Sequence, residues 1–156
     1  MNVVYASNDA YVRHLGTSMC SLFDRNRSCQ SITVYILSLG LSEDSRAKLE
    51  EIAGQYGRGL VFAEVGDLES RFDFPVDTGG YDLSIMSRLF MGELLPDSVK
   101  KVLYLDCDTV VAQPLKGLWD GDLEGRIMGA VMEPTIYEAV KDSIGIGRNQ
   151  PYFNSG

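Results

Sequence analysis

The chain has 156 residues, of which 45% are hydrophobic and 23% charged, a composition typical of one soluble globular domain with a sizeable core. Its formal charge of −8 argues against nucleic acid or an anionic membrane as a bulk partner. The three cysteines form no CxxC pair, the N-terminus lacks a signal-peptide pattern, and no run approaches the ~18 apolar residues that cross a bilayer. We therefore expect a cytoplasmic protein without a disulfide framework or zinc cage.

Strands and helices are predicted to alternate along the first half of the chain. Apolar runs of strand length lie at Asn2–Ala6, Ile32–Leu37 and Leu60–Val65. Apolar residues recur at helical spacing from Tyr11 to about Asp24, and again after Ser42, a good N-cap with two acids in the following turn. This alternation predicts an α/β fold, a mostly parallel sheet flanked by helices.

The second half is predicted to contain a long loop, two helices and two further strands. Asp67–Tyr81 has loop composition and is long enough to be functional. Helical spacing covers Ser84–Leu95, and Thr135–Asp142 is predicted as a short helix. The uniformly apolar runs Val102–Leu105 and Ile127–Met132 predict strands that are buried on both faces, as in a parallel sheet.

Two carboxylates, Asp106 and Asp108, directly follow the predicted strand Val102–Leu105. If the backbone stays extended, alternate side chains point the same way and both carboxylates face one spot. Because two anions repel each other, such a pair calls for a cation or a shared proton. Ligands of open α/β sheets bind at the carboxyl ends of the strands, so we expect the loop after the first strand, Ser7–Tyr11, to converge with this pair.

Five blocks of the sequence occur in a specific order: Val4–Tyr11, Leu83–Leu89, Lys101–Thr109, Leu115–Asp120 and Tyr152–Gly156. Together they resemble glycosyltransferase family 8, the retaining enzymes that use nucleotide sugars, and in particular its bacterial lipooligosaccharide galactosyl- and glucosyltransferases. The resemblance implies a Rossmann-like domain of GT-A type over residues 1–156. It also implies that this nucleotide-sugar-binding domain is the N-terminal portion of a longer enzyme.

The resemblance implies a metal site and a nucleotide site. Asp106 and Asp108, the acids of a DxD motif, would bind Mn²⁺ or Mg²⁺, with the diphosphate of a UDP-sugar on the other side of the ion; Asp106 would also contact the nucleotide. Ala6 and Asn8 would contact the base and ribose, and Tyr11 would stack on uracil. Asn8 departs from the aspartate that is commonest in the family but still offers a carbonyl and an amide.

The resemblance also implies residues for the transfer step. Arg88 matches the arginine that reaches the donor sugar or diphosphate, while Glu133 and Asn154 match positions near the transferred sugar and the acceptor. Ala10 stands where the family commonly has asparagine and offers no side-chain hydrogen bond to the base. The family's histidine metal ligand near the C-terminus has no counterpart here, because the only histidine, His14, lies in the first predicted helix.

The implied activity is metal-dependent transfer of glucose or galactose from UDP to a glycan or lipid-linked acceptor, as in lipopolysaccharide biosynthesis. Membrane association is expected only through the C-terminal part of the enzyme.

Two alternatives remain open. Leu105–Val110 also fits the aspartyl-phosphate phosphohydrolases of haloacid-dehalogenase type, in which the first aspartate is a nucleophile, although that class needs the motif near its N-terminus. The chain could also be a non-catalytic nucleotide-sugar-binding module or a self-glucosylating primer like glycogenin.

Overall fold

The computed structural model describes residues 1–78, 82–133 and 138–153, and the chain divides into two compact units, residues 1–120 and 121–156. The first unit contains a four-stranded, all-parallel sheet with the strand order β3-β2-β1-β4. The strands are β1 (Asn2–Ser7), β2 (Thr33–Ser38), β3 (Gly59–Glu64) and β4 (Leu103–Tyr104). The predicted α/β architecture is therefore confirmed.

Helices cover both faces of this sheet. On one face, α1 (Val12–Arg25) and α2 (Glu43–Gln55) pack against alternate residues of the strands, and Tyr5 is fully buried there. On the other face, a 3₁₀ helix, Leu83–Phe90, and the single turn α3 (Met91–Leu94) cover a second apolar cluster. The remaining elements are short 3₁₀ helices at Asp9–Tyr11 and Glu69–Arg71, α4 (Lys116–Asp120) and, in the second unit, α5 (Glu138–Ser143).

The strand order creates a switch point between β1 and β4. β2 and β3 follow one another on one side of β1, whereas β4 pairs with the other side. The Leu105 amide donates to the Val4 carbonyl at 3.0 Å, which continues the pairing beyond β4. In open α/β sheets, a crevice for ligands forms at the carboxyl ends of the strands on either side of such a point. The fold thus places the segments after β1 and β4 side by side.

The strand predicted at Val102–Leu105 is shorter and less buried than expected. Strand pairing covers only Leu103–Tyr104, and both residues are half-buried. The reason is topological, because within the described parts of the chain β4 pairs with β1 alone and forms an edge of the sheet. The apolar run therefore predicted a strand correctly, but the strand lies at the edge of the sheet and not, as predicted, in its interior.

The helix predicted over Ser84–Leu95 is a 3₁₀ helix for most of its length. Leu83–Phe90 has eight 3₁₀ residues, whereas runs longer than about four are uncommon. The Ser87 hydroxyl donates to the Ser84 carbonyl at 2.7 Å, and the Arg88 Nε donates to the Ile85 carbonyl at 2.8 Å. These side chains bond the carbonyl three residues back, which competes with the α-helical backbone pattern.

The strand predicted at Ile127–Met132 does not form. Ile127 is 99% exposed and Val131 77%, and only Met132 makes an isolated antiparallel bridge, to Phe153. The apolar run has no neighbouring strand within the described residues, so it lacks the pairing that would make it a strand. The predicted helix Thr135–Asp142 overlaps α5, but its proposed cap, Thr135, lies outside the described residues. Across the described ranges, no helix combines the length and apolar character needed to span a membrane.

Candidate active site

The loop after β1 is shaped by Asn8. Its side-chain carbonyl accepts hydrogen bonds from the backbone amides of Ala10 at 3.1 Å and Tyr11 at 3.3 Å, which caps the short helix Asp9–Tyr11. Asparagine is among the residues that best cap a helix in this way. The capped loop leaves the Tyr11 side chain 48% exposed, next to the His14 ring at a centroid distance of 5.7 Å. An aromatic face is therefore accessible at the carboxyl end of β1.

Asp106 and Asp108 lie on a tight turn. The Thr109 amide and hydroxyl both donate to the Asp106 carbonyl, at 3.2 and 2.7 Å. The expectation that the backbone stays extended through Asp108 is therefore wrong, because Thr109 closes the turn from both its backbone and its side chain. Asp106 is half-buried, Cys107 is directed into the core and Asp108 is exposed.

Cys107 fastens this turn to the first strand. Its thiol donates to the Ala6 carbonyl at 3.0 Å. Burial raises the pKa of the Cys107 thiol to about 11, and the charges of Asp106 and Asp108 add to the rise, so the sulfur stays a neutral donor. This contact joins the two segments that the parallel topology was predicted to bring together.

Arg88 reaches the same turn from the 3₁₀ helix. Its Nη1 lies 3.9 Å from Asp106 Oδ1, and its guanidinium lies 5.4 Å from the centre of the Tyr104 ring. Burial raises the pKa of Tyr104 to about 12; the Arg88 charge opposes this rise and the Asp106 charge adds to it. Asp106 thus lies beside the guanidinium of Arg88, which in turn lies over the ring of Tyr104. A guanidinium in this position can bind an anionic group of a ligand.

Asp82 caps the helix that carries Arg88 and was not among the predicted site residues. It is the N-cap of the helix Leu83–Phe90, and its carboxylate accepts from the Ser84 amide at 2.8 Å. Hydrogen bonds from the Ser84 hydroxyl and amide lower the pKa of Asp82, and a hydrogen bond from the Asn8 side chain lowers it further. The capping signal, an acid just before Leu83-Ser84, was visible in the sequence.

The carboxylate pair has the donor chemistry for a hard divalent cation. Mg²⁺ and Mn²⁺ prefer carboxylate oxygens and often bind through one or two protein carboxylates together with water and substrate phosphate. In the part of the chain that the structure describes, no group of three or more His, Cys, Asp and Glu side chains comes together. A shallow concavity of about 120 Å³ adjoins the turn and is lined by His14, Thr17, Cys107, Asp108, Thr109 and Val110.

Two further predicted residues, Glu133 and Asn154, follow residue 120 in the sequence. Glu133 is half-buried in the second unit, where its amide donates to the Tyr152 carbonyl at 2.9 Å. Asn154 lies outside the described residues. Of the predicted site residues, the structure therefore brings together Ala6, Asn8, Tyr11, Arg88, Asp106 and Asp108, all within the first unit.

Comparisons with known proteins agree with this architecture. General stress protein A of Bacillus subtilis (strain 168) is 28% identical over 157 residues, covering all of this chain and 54% of that protein. A putative glycosyltransferase of Haemophilus influenzae is 27% identical over 160 residues, covering all of this chain and 47% of that protein. The chain therefore spans about half the length of these curated relatives.

A solved structure shows the same fold. The galactosyltransferase LgtC, crystallised in complex with donor and acceptor sugar analogues, superposes with a TM-score of 0.86 and 30% identity. The match covers all of this chain and 56% of LgtC. The predicted GT-A-type fold is thereby confirmed. Residues 2–156 match the family model described as glycosyl transferase family 8, and the chain belongs to this family.

Proposed function

We propose that the chain is the nucleotide-sugar-binding part of a retaining, metal-dependent hexosyltransferase. The donor would be UDP-glucose or UDP-galactose, and the acceptor a glycan or a lipid-linked sugar. One observation carries the proposal: in a chain of this family, the turn Asp106–Thr109 is fastened by Cys107 to the carboxyl end of β1, at the switch point of the sheet. This arrangement supports a site for a nucleotide on the loop and a diphosphate beside the acids.

Each residue has a role that follows from its surroundings. Tyr11 offers an exposed ring on which a uracil can stack, and the half-buried Arg88 can bind a donor phosphate or sugar through its guanidinium. Asp106 and Asp108 would hold Mn²⁺ or Mg²⁺. When bound, such an ion stabilises the negative charge that builds on the departing UDP. Glu133 and Asn154 are proposed to lie near the transferred sugar and acceptor.

The test is a thermal-shift titration with UDP. We expect UDP to raise the melting temperature only when Mn²⁺ or Mg²⁺ is present, because the carboxylates repel a diphosphate without a cation between them. The double variant Asp106→Asn plus Asp108→Asn should abolish the shift. Asp97→Asn, which removes an exposed acid before β4, should keep it and serves as the matched control.

Two outcomes would count against the proposal. An equal shift without metal would exclude a cation bridge between the acids and the diphosphate. Release of phosphate from an aryl phosphate, lost in the Asp106→Asn variant, would instead favour a phosphohydrolase.

A further inference from the structure

Two serines of α1 hold the segment that leaves the acid turn. The Ser18 hydroxyl lies 3.2 Å from the Thr109 hydroxyl, and the Ser21 hydroxyl accepts a hydrogen bond from the Val111 amide at 2.9 Å. The two serines are three residues apart and therefore lie on the same face of the helix. The chain that follows Asp108 is thus fastened to α1 through Thr109 and again through Val111.

Thr109 is the link between this helix and the acid turn. Its hydroxyl donates to the Asp106 carbonyl at 2.7 Å, and its amide donates to the same carbonyl at 3.2 Å. A hydroxyl has only one hydrogen, so Ser18 supplies the hydrogen in the contact between the two hydroxyls. Thr109 therefore closes the turn on one side and is itself held by Ser18 on the other.

Ser18 is a polar residue in a position where an apolar one would pack equally well. It is 0% exposed and lies in α1 among residues that are just as buried, namely Leu15, Met19 and Leu22. A buried hydroxyl is unfavourable unless it is hydrogen-bonded, and Ser18 has two partners, Tyr5 at 3.0 Å and Thr109 at 3.2 Å. A buried polar network that is satisfied in this way holds the groups it joins in one arrangement.

We propose that Ser18 and Thr109 are positioning residues of the metal site, whose hydroxyls fix the turn that presents Asp106 and Asp108 to a divalent cation. Neither residue is proposed to contact the ion. The inference deepens the proposed function and rests on it, because it assigns a role to two side chains that act only through the acids.

The turn is anchored at its middle and at its end. The Cys107 thiol donates to the Ala6 carbonyl at 3.0 Å, which fixes the middle of the turn to β1. Thr109 fixes the end of the turn to α1 through Ser18. With both anchors in place, the two carboxylates need less ordering when they bind an ion, and less of the binding free energy is lost.

The experiment measures how much Mn²⁺ is needed for UDP to bind. Calorimetric titrations at one fixed UDP concentration give the half-saturating Mn²⁺ concentration of each variant. Thr109→Val keeps the shape of the side chain but removes its hydroxyl, and we expect this concentration to rise ~10-fold or more. Thr109→Ser keeps the hydroxyl and should stay within about threefold of the wild type. Ser18→Ala leaves Thr109 without its anchor and should raise the concentration roughly threefold or more.

Ser21→Ala is the matched control. It removes a hydroxyl from the same face of α1 and from the same segment of chain, but two residues farther from the acids. The Val111 amide then loses its acceptor, so the midpoint of urea denaturation without metal or nucleotide should fall. The half-saturating Mn²⁺ concentration should nevertheless stay within about twofold of the wild type, because the acid turn keeps both anchors.

The outcomes separate this inference from the proposed function. If the wild-type chain shows no Mn²⁺-dependent binding of UDP, the proposed function fails and the inference fails with it. If the wild type binds UDP with Mn²⁺ but Thr109→Val and Ser18→Ala need no more Mn²⁺, the positioning role is refuted while the proposed function stands. Ser18→Ala alone decides the question if Thr109→Val does not fold.

Two further results would refute the positioning role. An equal rise in Ser21→Ala would show that any loosening of this segment weakens the metal site. An equal rise in Thr109→Ser and Thr109→Val would show that the shape of the side chain matters and not its hydroxyl.

Discussion

Tyr11 is held at the mouth of the crevice by contacts of its backbone, and its ring is left at the surface. Its amide is bound by Asn8, while the side chain is 48% exposed. Truncating the ring should therefore change stability by less than about 0.5 kcal/mol. Loss of stacking on a base typically costs ~1–3 kcal/mol of binding free energy. We expect Tyr11→Ala to weaken UDP binding by this amount with Mn²⁺, measured by calorimetry.

The phenylalanine variant is the matched control for this prediction. Tyr11→Phe keeps the aromatic face and should bind UDP within about twofold of the wild type, since stacking does not need the hydroxyl. Equal affinities of the alanine and phenylalanine variants would show that the ring does not contact the base.

Single residues also show what the sequence could and could not predict about the site. Asn8, Asp106 and Arg88 were identified because they stand in recognisable blocks, and the structure brings them together in the first unit. The hydrogen bond from the Cys107 thiol to the Ala6 carbonyl was not predicted, because no periodicity or spacing relates residues that only tertiary folding brings together. The turn at Asp106 was missed because the hydrogen bonds from Thr109 outweigh the local preference for extended backbone.

At the scale of elements, Asn26 ties the end of α1 to the segment that follows the acid pair. It is 2% exposed; its Nδ2 donates to the Leu22 carbonyl and its Oδ1 accepts from the Leu115 amide, each at 2.8 Å. Asn26→Ala leaves the Leu115 amide without this acceptor, and a buried unsatisfied group costs ~1–3 kcal/mol. We expect a loss of this size in the free energy of unfolding, measured by urea denaturation.

An exposed amide on α2 is the control for the Asn26 variant. Gln55→Ala removes a surface side chain that donates to Glu51 one turn away, and it should change the free energy of unfolding by less than about 0.5 kcal/mol. Equal effects of the two substitutions would show that the Asn26 contacts do not stabilise the fold.

The elements differ in how well the sequence predicted them. α1 was predicted from its apolar spacing, and α2 from its apolar spacing together with the N-cap Ser42. The type of the helix Leu83–Phe90 was mispredicted because it depends on side-chain hydrogen bonds to the backbone that periodicity does not encode. Ile127–Met132 was mispredicted because a strand requires a partner strand, and an apolar run does not specify one.

At the scale of the first unit, a chain of hydroxyl groups runs from the central strand to the acid turn. Tyr5 contacts Ser18 at 3.0 Å, and Ser18 contacts Thr109 at 3.2 Å. The Thr109 hydroxyl donates its only hydrogen to the Asp106 carbonyl. Ser18 must then donate to Thr109, and Tyr5 must donate to Ser18. The donor and acceptor of every hydrogen bond in this series of hydroxyls are therefore fixed only if Tyr5 is neutral and donates its proton.

This chain of hydroxyls predicts alkaline sensitivity of the fold. Burial raises the pKa of Tyr5 above its ordinary value of 10.0, because the phenolate would be desolvated in the core. The unfolded chain then loses this proton at lower pH than the folded chain, so the stabilisation is complete below about pH 9 and falls as the pH rises past about 10. Between the pKa of Tyr5 in the unfolded chain and its higher pKa in the folded protein, the free energy of unfolding falls by ~1.4 kcal/mol per pH unit.

The comparison with Tyr5→Phe isolates the effect from the other groups that titrate in alkali. Between about pH 9 and about pH 11, we expect the wild type to lose ~1.4 kcal/mol more unfolding free energy than Tyr5→Phe, measured by urea denaturation with a reductant. The variant lacks the hydroxyl, so it begins with a lower stability but a flatter pH dependence. Parallel curves would mean that Tyr5 ionises as readily in the folded protein as in the unfolded chain, and the hydroxyl chain would then not depend on a proton at Tyr5.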